Sequence, residues 1–301
     1  MSSVPTPGTS AASPRDEPAA RMTPDPGHID RGRRFLALHR QGLFLLTNAW
    51  DAASARLFEA AGCAAVGTSS AGIAFSLGYP DGERLPREEM LAAVARITRA
   101  VEVPVSADME SGYGDTPEAV AETVQAVIRA GAVGINLEDA TFDGGLFDLQ
   151  LQVEKIRAAR RAADGSGVPF VINARTDVFW HRLGEARERL PLAIARANAY
   201  REAGADCLFV PGAVELETIR TLAREIAGPL NVLASPGCPP IAALGEAGVR
   251  RVSLGSGPMR AAMGLTRRIA KELLAQGTYQ ALHQGAIPYP EANALFTRNR
   301  P

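Results

Sequence analysis

The segment SADMESGYGD (residues 106–115) holds the residue types best suited to chemistry. It follows the apolar Val103-Pro104-Val105, places two acids one residue apart, Asp108 and Glu110, and then has glycine at 112 and 114. On a strand, residues i and i+2 point to the same side, so the two carboxylates are expected to project together. A later apolar run ends in Glu138-Asp139 and the next in NARTD (173–177), with Arg175 at its end. Three carboxylates facing one small space repel one another, and a divalent cation removes the conflict. An all-oxygen donor set that leaves room for water suits Mg2+ or Mn2+ better than zinc or copper. The glycines let the chain turn sharply just past the ligands. The competing reading is a set of salt bridges between these acids and Arg175. Arg175 itself offers a fork of donors suited to a carboxylate or a phosphonate. Ser69, Ser70 and the Ala71-Gly72 that follow offer hydroxyl and backbone N–H groups to a substrate carboxylate, or form an ordinary turn.

Something must bring these segments to one place. After a basic amphipathic stretch, RGRRFLALHRQ, the chain alternates short apolar runs with longer amphipathic ones. The runs are 43–50, 64–71, 103–110, 133–140, 169–176, 207–213, 230–236 and 251–257. EAAGCAAVGTSS, IRAGAVGINLED, REAGADCLFVPG and GEAGVRRVSLGS form a weak repeat of helix end, Ala-Gly and strand, which predicts a glycine cap before every second run. Eight such units predict an α/β fold of the (β/α)8 barrel type, whose active site lies at the carboxyl ends of the strands. An open doubly wound sheet is the runner-up, but no G-x-G-x-x-G follows the first run. The expected organisation is a disordered tail over 1–29, a catalytic barrel over 30–262, and a C-terminal helical extension with a polar tail over 263–301, which fits exchange between subunits.

With 301 residues, a net charge of -1 and 22% charged residues, the chain has no general basic field for a nucleic acid. No apolar stretch reaches the roughly 20 residues of a membrane helix. The N-terminal segment lacks the apolar core of a secretory signal. The cysteines Cys63, Cys207 and Cys238 are odd in number and widely spaced, so a disulfide framework is not expected and a reducing cytoplasm fits.

NAWDAASA, SSAGIAFSLGYPD, SADMESGYG, GINLED and NARTD, in this order, resemble the isocitrate lyase and phosphoenolpyruvate mutase superfamily from about residue 32 to 260. The resemblance implies a (β/α)8 barrel that binds Mg2+ and a 2-oxo acid or its enolate, and that breaks or makes C–C or P–C bonds. It implies Asp108 as principal metal ligand and Glu110 at the second position of the family's Asp-x-Asp. Glu138 becomes the glutamate of the Glu-Asp pair, and Asp81 an acid reaching the metal through water. Ser69, Ser70 and Ala71 fall where the family holds the substrate carboxylate, and Arg175 where it binds the far carboxylate or phosphonate. A homotetramer exchanging a C-terminal helix is also implied.

Two departures bear on the reaction. The segment ATFDGGLFDLQLQ stands where the lyases carry a Lys-Arg-Cys-Gly-His gating loop and the phosphonate enzymes a Pro-Lys-Thr type loop, and it has no Cys, Lys or His. Ser70 replaces a glycine expected in the carboxylate-binding turn. Tyr113, Asp143 and His181 are the candidates for the missing acid or base; Tyr79 is a further one, and Cys238 lies in a turn on the same rim. The leading expectation is an Mg2+-dependent lyase that cleaves a C–C bond of a small 2-oxo or 2-hydroxy carboxylate, oxaloacetate-like or methylisocitrate-like. Decarboxylation fits best, because loss of CO2 needs no base to deprotonate a hydroxyl. P–C chemistry on a phosphonopyruvate-like substrate and a non-catalytic barrel that binds a 2-oxo acid are the alternatives.

Overall fold

Four Ala-Gly pairs set the rhythm of the fold. The computed structural model describes residues 25–297. In it, α2 (Ala52–Ala60), α5 (Pro117–Arg129), α7 (Ala186–Glu202) and α9 (Ile241–Glu246) each end on an alanine cap. The following glycine takes a left-handed φ of 92° at Gly62, 93° at Gly131, 110° at Gly204 and 94° at Gly248. The next amide reaches back into the helix, Cys63 to Phe58, Ala132 to Val127, Ala205 to Tyr200 and Val249 to Leu244. This is the six-to-one bond of a Schellman cap, and a side chain at the glycine would oppose it. The chain is thereby turned back toward the sheet, and β2 (Val66–Thr68), β4 (Gly134–Leu137), β6 (Cys207–Phe209) and β8 (Arg251–Ser253) begin within a few residues.

The other strands are β1 (Phe44–Ala49), β3 (Val105–Asp108), β5 (Val171–Arg175) and β7 (Leu230–Leu233), and each strand lies inside one of the eight apolar runs. All pair in parallel with the next in sequence, and β8 pairs back to β1 with Phe44 opposite Arg251 and Leu46 opposite Ser253. That last ladder closes the sheet into the expected (β/α)8 barrel and removes the open-sheet alternative. The remaining outer helices are α3 (Ser70–Ser76) and α4 (Arg87–Ala100), both after β2, then α6 (Leu149–Gly165), α8 (Leu216–Glu225) and α10 (Gly257–Gln276).

The helix α1 (Pro26–Leu38) stoppers the end of the barrel where the strands begin. Gly32 lets it approach so closely that a Cβ there would collide with the Pro169 carbonyl. Phe35 is fully buried and packs edge-on against His39 at 4.9 Å and Phe44 at 6.3 Å between ring centres. His39 Nδ1 lies 2.9 Å from the Phe35 carbonyl, while Nε2 is buried without a partner. Burial, reinforced by the charge of Arg251, holds the His39 pKa down at about 3.

The termini differ from expectation. Residues 26–29, assigned to the tail, are the first turn of α1, started by the Asp25 side chain accepting from the His28 amide at 3.1 Å with Pro26 at the first helical position. Residues 1–24 and 298–301 lie outside the described residues. The expected boundary at 262 falls inside α10, the expected helical extension also holds α11 (Gln280–His283), and the segment expected to be a polar tail forms α12 (Tyr289–Thr297). Arg56 Nε donates to the Leu295 carbonyl at 2.8 Å and ties α12 to α2 of the same chain. No residue of α10 to α12 is buried, and Leu273, Leu274, Tyr289 and Phe296 are exposed. Among the described residues no helix is long and apolar enough to cross a membrane.

Because His39 stays neutral in the fold while the unfolded chain takes up a proton below about pH 6.5, the unfolded state binds more protons in that range. Stability therefore falls as pH drops from about 6.5 toward 3, by at most about 1.4 kcal/mol per pH unit from this one group. In urea titrations across that range, His39→Gln is expected to show a shallower acid limb than the wild type; equal slopes would remove His39 as a source of the acid lability.

Candidate active site

A cavity of about 570 Å3 opens at the carboxyl ends of the strands. Every strand contributes a wall residue: Asn48, Thr68, Asp108, Asn136, Arg175, Phe209, Leu233 and Ser253 in order from β1 to β8. Six carboxylates (Asp81, Glu83, Asp108, Glu110, Asp115, Glu138) face three arginines (Arg175, Arg251, Arg260) around it, so the wall is acidic. A second cavity of about 390 Å3, beneath α12, is lined by Asp51, Arg96 and mostly apolar neighbours and has no comparable set of converging polar groups.

Asp108 ends β3 and is held from three sides. Ser70 donates to Oδ2 through its backbone N–H at 2.9 Å and its hydroxyl at 2.8 Å, and Asn136 Nδ2 donates to Oδ1 at 2.9 Å. Asn136 is oriented in turn by Asn173, whose Nδ2 donates to its Oδ1 at 2.7 Å. Serine in place of the expected glycine at 70 thus gives the carboxylate an additional donor. In this arrangement Ser70 serves Asp108; Ser69 caps α3 by accepting from the Gly72 amide at 3.1 Å, and Ala71 lines the cavity.

Glu110 reaches the site by a different route from the expected strand alternation. β3 stops at Asp108, and Glu110 and Tyr113 take left-handed φ values of 51° and 56°, strained for residues with a Cβ. Gly112, at φ 105°, sits so close to Val120 that a Cβ would lie 2.9 Å from its Cγ2, and a Cβ on Gly114 would collide with Ala119. The tight turn aims the Glu110 carboxylate at the loop after β2, where Oε2 accepts from the Glu83 amide at 2.5 Å. Glu83 returns the contact, its Oε1 accepting from the Ser111 amide at 3.0 Å, the Ser111 hydroxyl at 2.7 Å and the Tyr113 amide at 3.0 Å. Burial, then the charges of Asp81 and Asp108, push the Glu110 carboxyl up to about 8. Partial burial and Asp108 likewise raise Asp81, which stands on the cavity wall.

Arg175 ends β5 between two acids, with Nη1 on Glu138 Oε1 and Nε and Nη2 on Asp177 Oδ1 at 2.8 and 2.6 Å. Its guanidinium also lies 5.9 Å from the ring centre of Trp180 and 5.7 Å from that of Phe209. Burial raises the Glu138 carboxyl against the pull of Arg175, and the paired acids raise Arg175 beyond its ordinary value. The salt-bridge reading is therefore realised for Glu138. It does not account for Asp81, Asp108 and Glu110, none of which pairs with a cation among the described residues.

Behind the site, Asp139 is fully buried and accepts from Arg196 Nε at 2.7 Å and the Tyr200 hydroxyl at 2.6 Å, while its Oδ1 takes the Asp177 amide at 2.8 Å. Arg196 also donates to the Phe147 carbonyl at 2.8 Å, which ties down the loop after β4. That loop is a small hairpin, bridged from Ala140 to Leu146, and Arg84 stacks at 4.1 Å on the ring of its exposed Phe142.

The acid and base candidates separate in space. Asp143 is turned onto its own loop, accepting from the Thr141 hydroxyl at 2.5 Å and the Gly145 amide at 3.4 Å, and it is not part of the cavity wall; the hairpin has only its own donors to offer it. Tyr113 has a buried, unpartnered hydroxyl held as a phenol by burial and by Glu110 and Glu83, but it also is not a wall residue. His181 is exposed and lines the mouth. Tyr79 and Cys238 are packed against the core and line no part of the cavity. Glu83, Asn136 and Arg251 were not singled out from the sequence; a lone Asn or Glu in a polar turn carries no signal until the loop around it is placed.

Among the described residues no three His, Cys, Asp or Glu side chains form a ready-made cage. The wall nevertheless offers only hard oxygen donors at Asp81, Asp108, Glu110 and Glu138, and the Asp81 and Glu110 carboxyls are raised by burial and then by the charges of their acidic neighbours, a tension that a cation relieves. Mg2+ needs few protein ligands because it keeps several waters, so the residues fit it.

The phosphoenolpyruvate phosphomutase family model matches residues 35–274. This chain belongs to that family, within the isocitrate lyase and phosphoenolpyruvate mutase superfamily. It is 30% identical to the 2-methylisocitrate lyase of Escherichia coli over 87% of this chain and 88% of that one. Among solved structures it is similar to a Burkholderia cenocepacia protein provisionally called a lyase/mutase, with 39% identity, a TM-score of 0.85 and coverage of 91% and 98% of the two chains. A phosphonopyruvate hydrolase complexed with oxalate and Mg2+ is similar at 26% identity and a TM-score of 0.77, over 88% of this chain and 94% of that one.

Replacing Asp139 with Asn leaves Arg196 and Tyr200 facing a neutral partner in a dry interior. About 3–5 kcal/mol of unfolding free energy is expected to be lost, the scale for breaking a buried pair. Chemical denaturation of Asp139→Asn checks it, and a loss below about 1 kcal/mol would mean that the network does not hold the site.

Proposed function

We propose that this protein is an Mg2+-dependent carbon–carbon lyase acting on a small 2-oxo or 2-hydroxy carboxylate. The observation that carries this reading is the acid cluster of Asp81, Asp108, Glu110 and Glu138, gathered with Arg175 on one cavity at the catalytic end of the barrel. Family membership supports an enzyme of the lyase and mutase type, and the similar 2-methylisocitrate lyase supports C–C cleavage.

Asp108 would hold the cation, with Asp81, Glu110 and Glu138 reaching it directly or through water. A bound Mg2+ supplies Lewis-acid polarisation of the 2-oxo group, a contribution of several kcal/mol to the barrier. The chain's own residues do the rest. Ser70 and Asn136 fix the Asp108 carboxylate, so its lone pairs do not reorient on binding. Arg175, close to the rings of Trp180 and Phe209, binds the distal substrate anion as its hold on Glu138 loosens. The hairpin with Phe142 and Phe147, steadied by Arg84 and Arg196, limits water at the mouth. Of the acid and base candidates, His181 at the mouth is the one on the cavity wall, and it is the group left to deliver a proton.

With no Cys, Lys or His on the hairpin, loss of CO2 from an oxaloacetate-like acid is the reaction that asks least of the missing groups. Release of the 2-oxo acid product, pyruvate from oxaloacetate, methylisocitrate, dimethylmalate and phosphonopyruvate and glyoxylate from isocitrate, with Mg2+ and with chelator, tests this. Chelator-sensitive turnover of a carbon acid is expected; turnover of phosphonopyruvate alone would move the protein to P–C chemistry. Silence across the panel, with oxalate still bound, would favour a binding barrel without turnover.

Asp108→Ala is expected to abolish Mg2+-dependent oxalate binding in calorimetry while the fold, checked by circular dichroism, persists. Unaltered affinity would sink the metal assignment. Arg175→Lys is expected to weaken dicarboxylates far more than pyruvate, and equal effects would reject its role at the distal anion.

A further inference from the structure

We infer that Arg251 forms a second anion subsite, at the floor of the cavity, which receives an additional carboxylate of a di- or tricarboxylate substrate. The inference deepens the lyase reading and rests on it.

Arg251 opens β8, level in register with Asn231 on β7 and Phe44 on β1, and is 3% exposed while lining the cavity. Its Nε and Nη1 are buried with no hydrogen-bond partner. The other arginines buried around the barrel are engaged. Arg196 binds Asp139, Tyr200 and the Phe147 carbonyl, and Arg175 binds Glu138 and Asp177. No carboxylate lies within ion-pair distance of Arg251 among the described residues. Its surroundings extend the pattern: Asn231 Nδ2 beside it has no acceptor, and Ser106 Oγ, also on the cavity wall, has no partner.

Burial draws the Arg251 pKa down to about 10, so it remains a cation at neutral pH. An unpaired guanidinium in a desolvated place is costly to the fold, and an apolar side chain of similar length would be better tolerated. The same group becomes an asset when an anion enters, because its planar fork pairs bidentately with a carboxylate in a low-dielectric site. The cavity is thus polarised along its depth, with acids suited to a cation around Asp108 and unsatisfied donors at the floor. A two-carbon acid chelated at the rim has no group left for the floor, whereas a longer polycarboxylate presents one.

The test uses the full chain, Mg2+ and two probes, oxalate and tricarballylate, by isothermal titration calorimetry, together with thermal unfolding of ligand-free protein. Arg251→Met is expected to weaken tricarballylate about 30-fold or more, the effect of losing one buried charge-assisted contact. Oxalate affinity is expected to change less than about threefold and the ligand-free melting temperature not to fall, because a buried unpaired charge is removed. Arg251→Lys is expected to restore part of the tricarballylate affinity. Equal weakening of both probes, or a melting temperature lowered in both variants, would show a structural arginine and overturn the subsite. Tricarballylate binding that is absent from the wild type or unchanged in Arg251→Met would overturn it as well. Oxalate that fails to bind the wild type with Mg2+ would instead remove the metal reading, while the tricarballylate comparison would still decide Arg251.

Discussion

Like charge concentrated in a poorly solvated barrel mouth is the constraint on which this molecule's architecture turns. Asp81, Asp108, Glu110 and Glu138 cannot all be ionised at close quarters without compensation, and the displaced carboxyls of Glu110 and Asp81 record that tension. The protein compensates part of it. Arg175 takes Glu138 and Asp177, three donors take Asp108, and a backbone amide takes Glu110. What remains uncompensated on the acid side suits a hard cation, and what remains at the floor, around Arg251, suits an anion.

Holding that arrangement takes a second set of contacts centred behind the cavity. Asp139, adjacent to Glu138 in sequence, points away from the site and knits β4, β5, α7 and the hairpin loop through Asp177, Arg196, Tyr200 and Phe147. Strain is used in the same economical way. Left-handed backbone at Glu110 and Glu83, at 51° and 54°, lets two loops from neighbouring strands exchange carboxylate-to-amide bonds across the mouth. Neither loop would hold its glutamate in place alone, since each supplies the donors for the other.

Much of the plan was legible in the chain. The period of apolar runs marked all eight strands, and the Ala-Gly repeats marked helix ends because only glycine takes the left-handed cap without penalty. Asp108, Glu138 and Arg175 could be found because strand ends in a barrel face one place. Glu110 was found for a partly mistaken reason: its acid group arrives by a strained turn, not by strand alternation. Asp143 shows the limit in the other direction, since an acid in a polar loop looks catalytic until the hairpin turns it onto Thr141. The polar C-terminal segment gave no sign that α12 would lie on α2, because that contact runs through a main-chain carbonyl which every residue possesses.

By itself, then, the sequence determined the barrel, its direction and the strand ends that carry charge, because periodicity and capping act over a few residues. Only tertiary structure decided which polar groups are satisfied. Arg175 and Arg251 are the same residue type at opposite ends of their strands, β5 and β8. One is saturated by acids from its own and a neighbouring strand and the other has none, and pairing between segments far apart in sequence is a property of the closed sheet that no local pattern encodes.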